Sequence, residues 1–112
     1  MPYFSTGLLE NVSTKGIRQS LKLWVNISNS DNSTVAIQIE GFSQNESKRV
    51  KYVEEFFTLS AGGVILKNYF IPFDQFEFVF FISSPTVAIS LEYKDSSGNL
   101  ISAPLKAAEV NV

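Results

Sequence analysis

The chain of 112 residues has the length of one domain and can bury a single core without disulfide or metal staples. It contains no Cys and no His, which excludes disulfides, thiolate metal sites and thiol catalysis and removes the usual general base near neutral pH. The formal net charge of −2 and the single short basic cluster at residues 48–51 argue against a nucleic-acid partner. No cofactor and no metal are expected.

Residues 1–16 differ in pattern from the rest of the chain and are predicted to form an N-terminal connector arm and hinge ahead of a sandwich domain of residues 17–112. Small and polar residues interrupt the apolar ones, and Gly7 and Gly16 are the predicted hinges. An extended arm would reach on the order of 50 Å, far enough to dock into a neighbouring subunit. The alternative is a first strand or a frayed terminus of the same domain. The apolar residues predicted to dock are Tyr3, Phe4, Leu8, Leu9 and Val12.

The remaining residues alternate apolar and polar side chains in short runs, which predicts an all-β, antiparallel sandwich of about eight strands. Residues 21–27 and 35–39 are predicted to form a hairpin with a five-residue loop. The strand at residues 50–59 changes its inward face, so a bend or bulge is expected near residues 54–55. A hairpin turn with Gly98 at positive φ is expected before the last strand. Other strands are predicted at residues 64–71, 76–82, 87–93 and from residue 100.

Residues 76–82 are predicted to be the central strand of the sandwich. One face is apolar throughout, and the other face is apolar at Val79 and Phe81. A strand that is apolar on both faces must be covered on both, by a facing sheet and by a loop or another chain. The sheet around this strand is therefore the candidate acceptor of a docking arm, and its contact residues are Phe76, Phe78 and Phe81.

Other chemistry-bearing residues are better explained as structural. The turns at residues 31–32 and 95–99 offer oxygen ligands for calcium, but neither has a second acid nearby, which favours plain turns. Trp24 lies on the polar side of its strand and could stack on a sugar or a neighbouring subunit, although one residue is no binding platform. Four Asn-X-Ser/Thr sequons are attributed to composition, with a glycosylated surface protein as the alternative: Asn11, Asn26, Asn32 and Asn45.

Residues 76–100, which include FISSPTVAISLEYKDSSGNL, and FTLSAGG at residues 57–63 resemble small β-sandwich proteins of spore-forming bacteria. Among these are the endospore appendage subunits, jelly-roll proteins that polymerise by docking an N-terminal connector into the next subunit. The resemblance covers roughly residues 21–103. The best-known appendage subunits carry Cys for disulfides between subunits, and this chain has none, so the resemblance implies a fibre held by strand addition and packing alone.

The sequence therefore predicts a jelly-roll-like β-sandwich that assembles with copies of itself into a non-covalent filament, without catalytic activity. The expected location is a spore or cell surface, where an anchoring protein would hold the filament. No secretory signal or membrane-spanning stretch is recognised, so synthesis in a mother-cell cytoplasm and no membrane insertion are expected. Two alternatives stay open: a carbohydrate-binding or adhesive module, for which Trp24 and the Tyr residues would share one exposed face, and a virion or phage-tail structural protein.

Overall fold

The structure, a computed structural model, describes residues 2–13, 15–18 and 20–109, and these contain ten β-strands and no helix. The strands form two antiparallel sheets around one apolar core, so the predicted all-β, sandwich-like architecture is confirmed. In chain order they are β1 (Pro2–Ser5), β2 (Leu9–Glu10), β3 (Lys22–Asn29), β4 (Val35–Asn45), β5 (Lys48–Leu59), β6 (Val64–Phe70), β7 (Gln75–Ile82), β8 (Val87–Lys94), β9 (Leu100–Ser102) and β10 (Lys106–Glu109).

The order of strands brings the two ends of the described chain together. The first sheet has the order β10-β1-β7-β4-β5, with β2 also paired to β7, and the second has the order β6-β3-β8-β9. Three strand pairs are nested in sequence, each enclosed by the one before it: β1 with β10, β3 with β8 and β4 with β7. The first and last strands therefore lie side by side in the first sheet.

β7 supplies the largest side chains of the core, as predicted for the central strand. Its inward residues are almost completely buried: Phe76, Phe78, Phe80 and Ile82. The rings of Phe78 and Tyr69 have centroids 5.1 Å apart, and those of Phe76 and Tyr93 lie edge to face at 5.7 Å. Aromatic contacts from one strand thus join the first sheet to both β6 and β8 of the second.

The predicted hairpin between the first two long strands is wrong. β3 belongs to the second sheet and β4 to the first, so the turn between them crosses from one sheet to the other. The buried amide of Asn29 holds this corner, because its Nδ2 donates to the carbonyl oxygens of Ser33, Leu59 and Ser60 at 2.9, 3.1 and 3.1 Å. Both strands alternate in the same way, and alternation specifies an inward face without specifying a sheet.

The bulge predicted near residues 54–55 lies slightly earlier in the strand. The register of β4 and β5 shifts between Gly41 and Phe42, which leaves Tyr52 as the extra residue of β5. Gly41 also meets the core closely, since a Cβ built there would lie 2.8 Å from the ring of Phe78. Glycine at this position lets the bulged hairpin pack directly on β7.

Phe78→Ala is expected to lower the free energy of unfolding by about 3–5 kcal/mol, because it removes a fully buried ring and leaves a cavity. Phe56→Ala, at a ring on β5 that is 70 % exposed, is the matched control and should change stability by no more than about 0.5 kcal/mol. Guanidinium unfolding measures both values. Equal losses in the two variants would contradict the assignment of Phe78 to the core.

Candidate functional site

The candidate functional site is the edge of β7 that faces the N-terminal strands, named here the β7 docking site (residues Gln75–Ile82). Both β1 and β2 pair with β7 along this edge. Phe4 of β1 lies opposite Phe80, and Leu9 of β2 lies opposite Phe76. The other edge of β1 pairs with β10. Within the described residues, no arm extends away from the domain. β1 and β2 of the chain itself pair with β7, the strand that the sequence predicts as the acceptor of a docking arm.

The apolar residues of the predicted arm contribute unequally to the β7 docking site. Leu9 is buried in the core, and Phe4 is half-buried against it. Tyr3 packs on the outer face of the sheet against Phe81, with ring centroids 5.3 Å apart. The remaining two predicted docking residues are exposed: Leu8 and Val12. Three of the five residues therefore make the contacts expected of a docking segment, but within their own chain.

Thr6, between β1 and β2, continues the hydrogen bonding with β7. No sequence pattern predicts this role. The Thr6 N–H donates to the carbonyl of Phe78 at 3.0 Å, and its Oγ1 accepts from the Phe78 N–H at 3.0 Å. The Thr6 hydroxyl donates to the carbonyl of Gly7 at 2.7 Å. Nearby, the Ser5 hydroxyl donates to the Glu77 carboxylate at 2.5 Å. A side-chain oxygen thus replaces a backbone acceptor where the chain kinks.

Asn11 fastens the end of the N-terminal segment to the domain. Its buried Nδ2 donates to the carbonyls of Ser20 and Ile71 at 3.0 and 2.8 Å, and its N–H donates to the Asp74 carbonyl at 2.6 Å. Arg18 forms an ion pair with Asp74 at 2.8 Å. Because its amide is buried and hydrogen-bonded, Asn11 cannot accept a glycan in the folded chain. The other three sequon residues are exposed: Asn26, Asn32 and Asn45.

Both predicted hinge glycines adopt the left-handed backbone conformation that glycine favours. The φ angles are 66° at Gly7 and 76° at Gly16. Lys15, beside the second glycine, also has a positive φ of 52°. A non-glycine residue in this region is strained by about 1 kcal/mol or more. The connection between β2 and β3 is therefore tight where it leads from the N-terminal strands back to the domain.

A cavity of about 230 Å³ lies between the sheets beside β1, lined by Phe4, Val87, Ile89 and Leu105. β9 pairs with β8 at residues 92–94 only, so residues 87–91 of β8 have β3 as their one partner strand among the described residues. The N-terminal strand therefore packs against a part of the core that its own side chains do not fill completely.

The acidic turns considered as calcium ligands use their oxygens to stabilise the turns themselves. Asp31 accepts from the Asn32 N–H at 2.7 Å and from the hydroxyls of Ser84 and Thr86, and the backbone hydrogen bond is the main cause of its lowered pKa. Asp95 accepts from two backbone N–H groups of its hairpin turn, at 2.9 Å each. Within residues 2–13, 15–18 and 20–109, no group of three acids is placed to hold a metal ion.

Trp24 and the tyrosines do not share one exposed face. Trp24 is 43 % exposed on the outer face of the second sheet. Tyr69 and Tyr93 point into the core, and the Tyr52 hydroxyl donates to a carbonyl of β6 at 2.7 Å. Tyr3 lies on the outer face of the other sheet, against Phe81. The carbohydrate-binding or adhesive alternative requires Trp24 and the Tyr residues on one exposed face, and the structure does not place them so.

Asn11→Ala is expected to lower the free energy of unfolding by about 1–3 kcal/mol, because it leaves the buried carbonyls of Ser20 and Ile71 without a donor. Amide hydrogen exchange should be faster in β1 and β2 of this variant. Asn32→Ala, at an exposed turn residue, is the control and should stay within about 0.5 kcal/mol of the parent chain. An unchanged stability of Asn11→Ala would show that the N-terminal segment is not fastened by this amide.

No helix of the described residues is long and apolar enough to span a membrane. Comparisons with protein-family models, with curated proteins and with solved structures find no match to this chain.

Proposed function

We propose that this chain is a structural subunit that assembles into a filament by exchanging its N-terminal strands between neighbouring copies. The observation that supports this is the placement of β1 and β2. They fill the β7 docking site, yet the connection at residues 12–21 is their one covalent link to the rest of the domain. In the proposed assembly, β1 and β2 of one subunit leave their own β7 and pair with β7 of the next.

The exchange replaces the contacts of β1 and β2 with β7 by the same contacts with another copy. Phe4, Thr6 and Leu9 would meet the same partner residues, so the exchange itself changes the free energy little. The balance between the closed single chain and the exchanged assembly therefore depends on the connection at residues 12–21. Lys15 is strained in the closed form, and an extended connection would relieve that strain.

The connection is long enough to reach a second subunit. Residues 12–21 span roughly 33 Å when fully extended, and the described chain measures 48 × 32 × 19 Å along its principal axes. Apolar side chains of this connection are exposed in the single chain and would be available for contacts between subunits: Val12, Ile17 and Leu21. A contact from the N-terminal strands of one copy to β7 of the next is head-to-tail and continues into a filament.

The resemblance to endospore appendage subunits suggests which filament this is. It supports a spore-surface location, attachment through an anchoring protein and a non-catalytic role. We also propose the jelly-roll description on this basis, and the nested pairing of β1 with β10, β3 with β8 and β4 with β7 supports it. Because the chain has no Cys, the fibre would be held by hydrogen bonds and apolar packing alone.

A disulfide that locks β1 to its own β7 tests the exchange, since the chain has no native Cys to interfere. Ser5→Cys combined with Val79→Cys places two thiols on directly opposed residues of an antiparallel pair, within the Cα separation that a disulfide spans. In negative-stain microscopy we expect fibres from the parent chain and from the reduced variant, and monomers from the oxidised variant. Reductant should restore the fibres.

Ser28→Cys combined with Ala88→Cys is the matched control, because it joins β3 to β8 and leaves the N-terminal strands free. Its oxidised form should assemble like the parent chain. Fibres from the oxidised Ser5–Val79 variant would contradict strand exchange. Monomers from the parent chain at every concentration would contradict the filament.

A further inference from the structure

Among the strands that end the two sheets (β5, β10, β6 and β9), β6 has the least protection against pairing with another chain. β9 and β10 are short, with three and four residues, and β5 carries a bulge and five charged residues. Short strands, bulges and charges are the devices that discourage edge pairing. β6 has seven residues in one uninterrupted register with β3, and Lys67 is its single charged residue.

The outer face of β6 is apolar and exposed. Val64, Leu66 and Phe70 are 64 %, 75 % and 58 % exposed. Trp24 extends this surface on β3, where it lies opposite Asn68. These four apolar residues (Trp24, Val64, Leu66 and Phe70) are named the β6 patch. Among the described residues β6 has β3 as its one partner strand, and on its other side the Phe70 carbonyl accepts from the Tyr52 hydroxyl. An apolar strand with an unpaired edge is a surface that another strand can extend.

The charge on β6 is neutralised within its own subunit. The Nζ of Lys67 lies 2.6 Å from the Glu55 carboxylate and 4.7 Å from the centre of the Phe57 ring. The same hydrogen bond lowers the pKa of Glu55, so this carboxylate stays ionised near neutral pH. β6 therefore presents an edge without a free charge. In a two-fold contact each edge meets a copy of itself, and the Glu55 carboxylate of each chain offsets the like charges that the two Lys67 side chains bring together.

We propose that β6 pairs antiparallel with β6 of a second copy of this chain around a two-fold axis, joining two four-stranded sheets into one continuous sheet. Full overlap of the strand with itself sets Val64 opposite the partner's Phe70, and Leu66 opposite the partner's Asn68. Lys67 lies at the axis, where each copy remains bound to its own Glu55. This surface is on the second sheet, so the contact does not require exchange of the N-terminal strands.

Cysteine cross-linking of the full chain tests this pairing, because each introduced thiol is the only one in its chain. A mixture of Val64→Cys and Phe70→Cys chains, mildly oxidised, should give at least about fivefold more covalent dimer than either variant alone, since only the mixed pair opposes two thiols. Adding Leu66→Glu to both chains should reduce that yield about tenfold or more, because each dimer buries two copies of Leu66.

A mixture of Leu100→Cys and Ser102→Cys chains is the control, since both residues lie on β9 at the opposite edge of the same sheet. It should give only background dimer. Equal yields from the two mixtures, or a β6 yield that Leu66→Glu does not change, would overturn the proposal. If the parent chain forms fibres but the mixture of Val64→Cys and Phe70→Cys chains gives only background dimer, the β6 contact is overturned and strand exchange is still supported. Cross-linked dimers without fibres would support this contact and contradict the filament.

Discussion

The whole structure depends on the burial of the inward rings of β7. Phe76, Phe78 and Phe80 are removed from water together with the backbone that carries them, so the polar groups of that backbone need a hydrogen-bonded neighbour on each edge. β4 supplies one neighbour, and the N-terminal strands supply the other. The N-terminal strands are therefore part of what makes the core stable, whichever copy of the chain provides them.

The sequence can predict which side of each strand faces the core, because apolar and polar residues alternate along the strands. Alternation specifies which side of β3, β7 and β8 faces the core, and the glycine-containing turn before β9 specifies a hairpin. Neither pattern specifies the sheet that a strand joins, because both sheets offer the same kind of apolar face. The corner at Asn29 is an example. Its acceptors are Ser33 in the turn that follows it and Leu59 and Ser60 at the end of β5, and these come together only in the folded chain.

The candidate site shows the same limit for polar residues. Tyr3, Phe4 and Leu9 stand out from their surroundings as apolar, whereas Thr6 and Asn11 have the composition of a loop and of a sequon. Their role depends on distant partners in the chain, since Thr6 bonds to Phe78 at a separation of 72 positions and Asn11 bonds to Ile71 at a separation of 60. Sequence patterns also cannot distinguish pairing within one chain from pairing between copies, because the contacting residues are the same in both.

The insertion of β1 between two strands has a consequence for rates. A strand at the edge of a sheet can separate by breaking one ladder, whereas β1 must break its pairing with β10 and with β7 while Phe4 leaves the core. Interactions that must all be lost before separation raise the barrier to dissociation. An assembly built by exchanging this strand would form slowly and come apart slowly. Its lifetime would be kinetic in origin, and reducing conditions that dissolve disulfide-linked fibres would leave it intact.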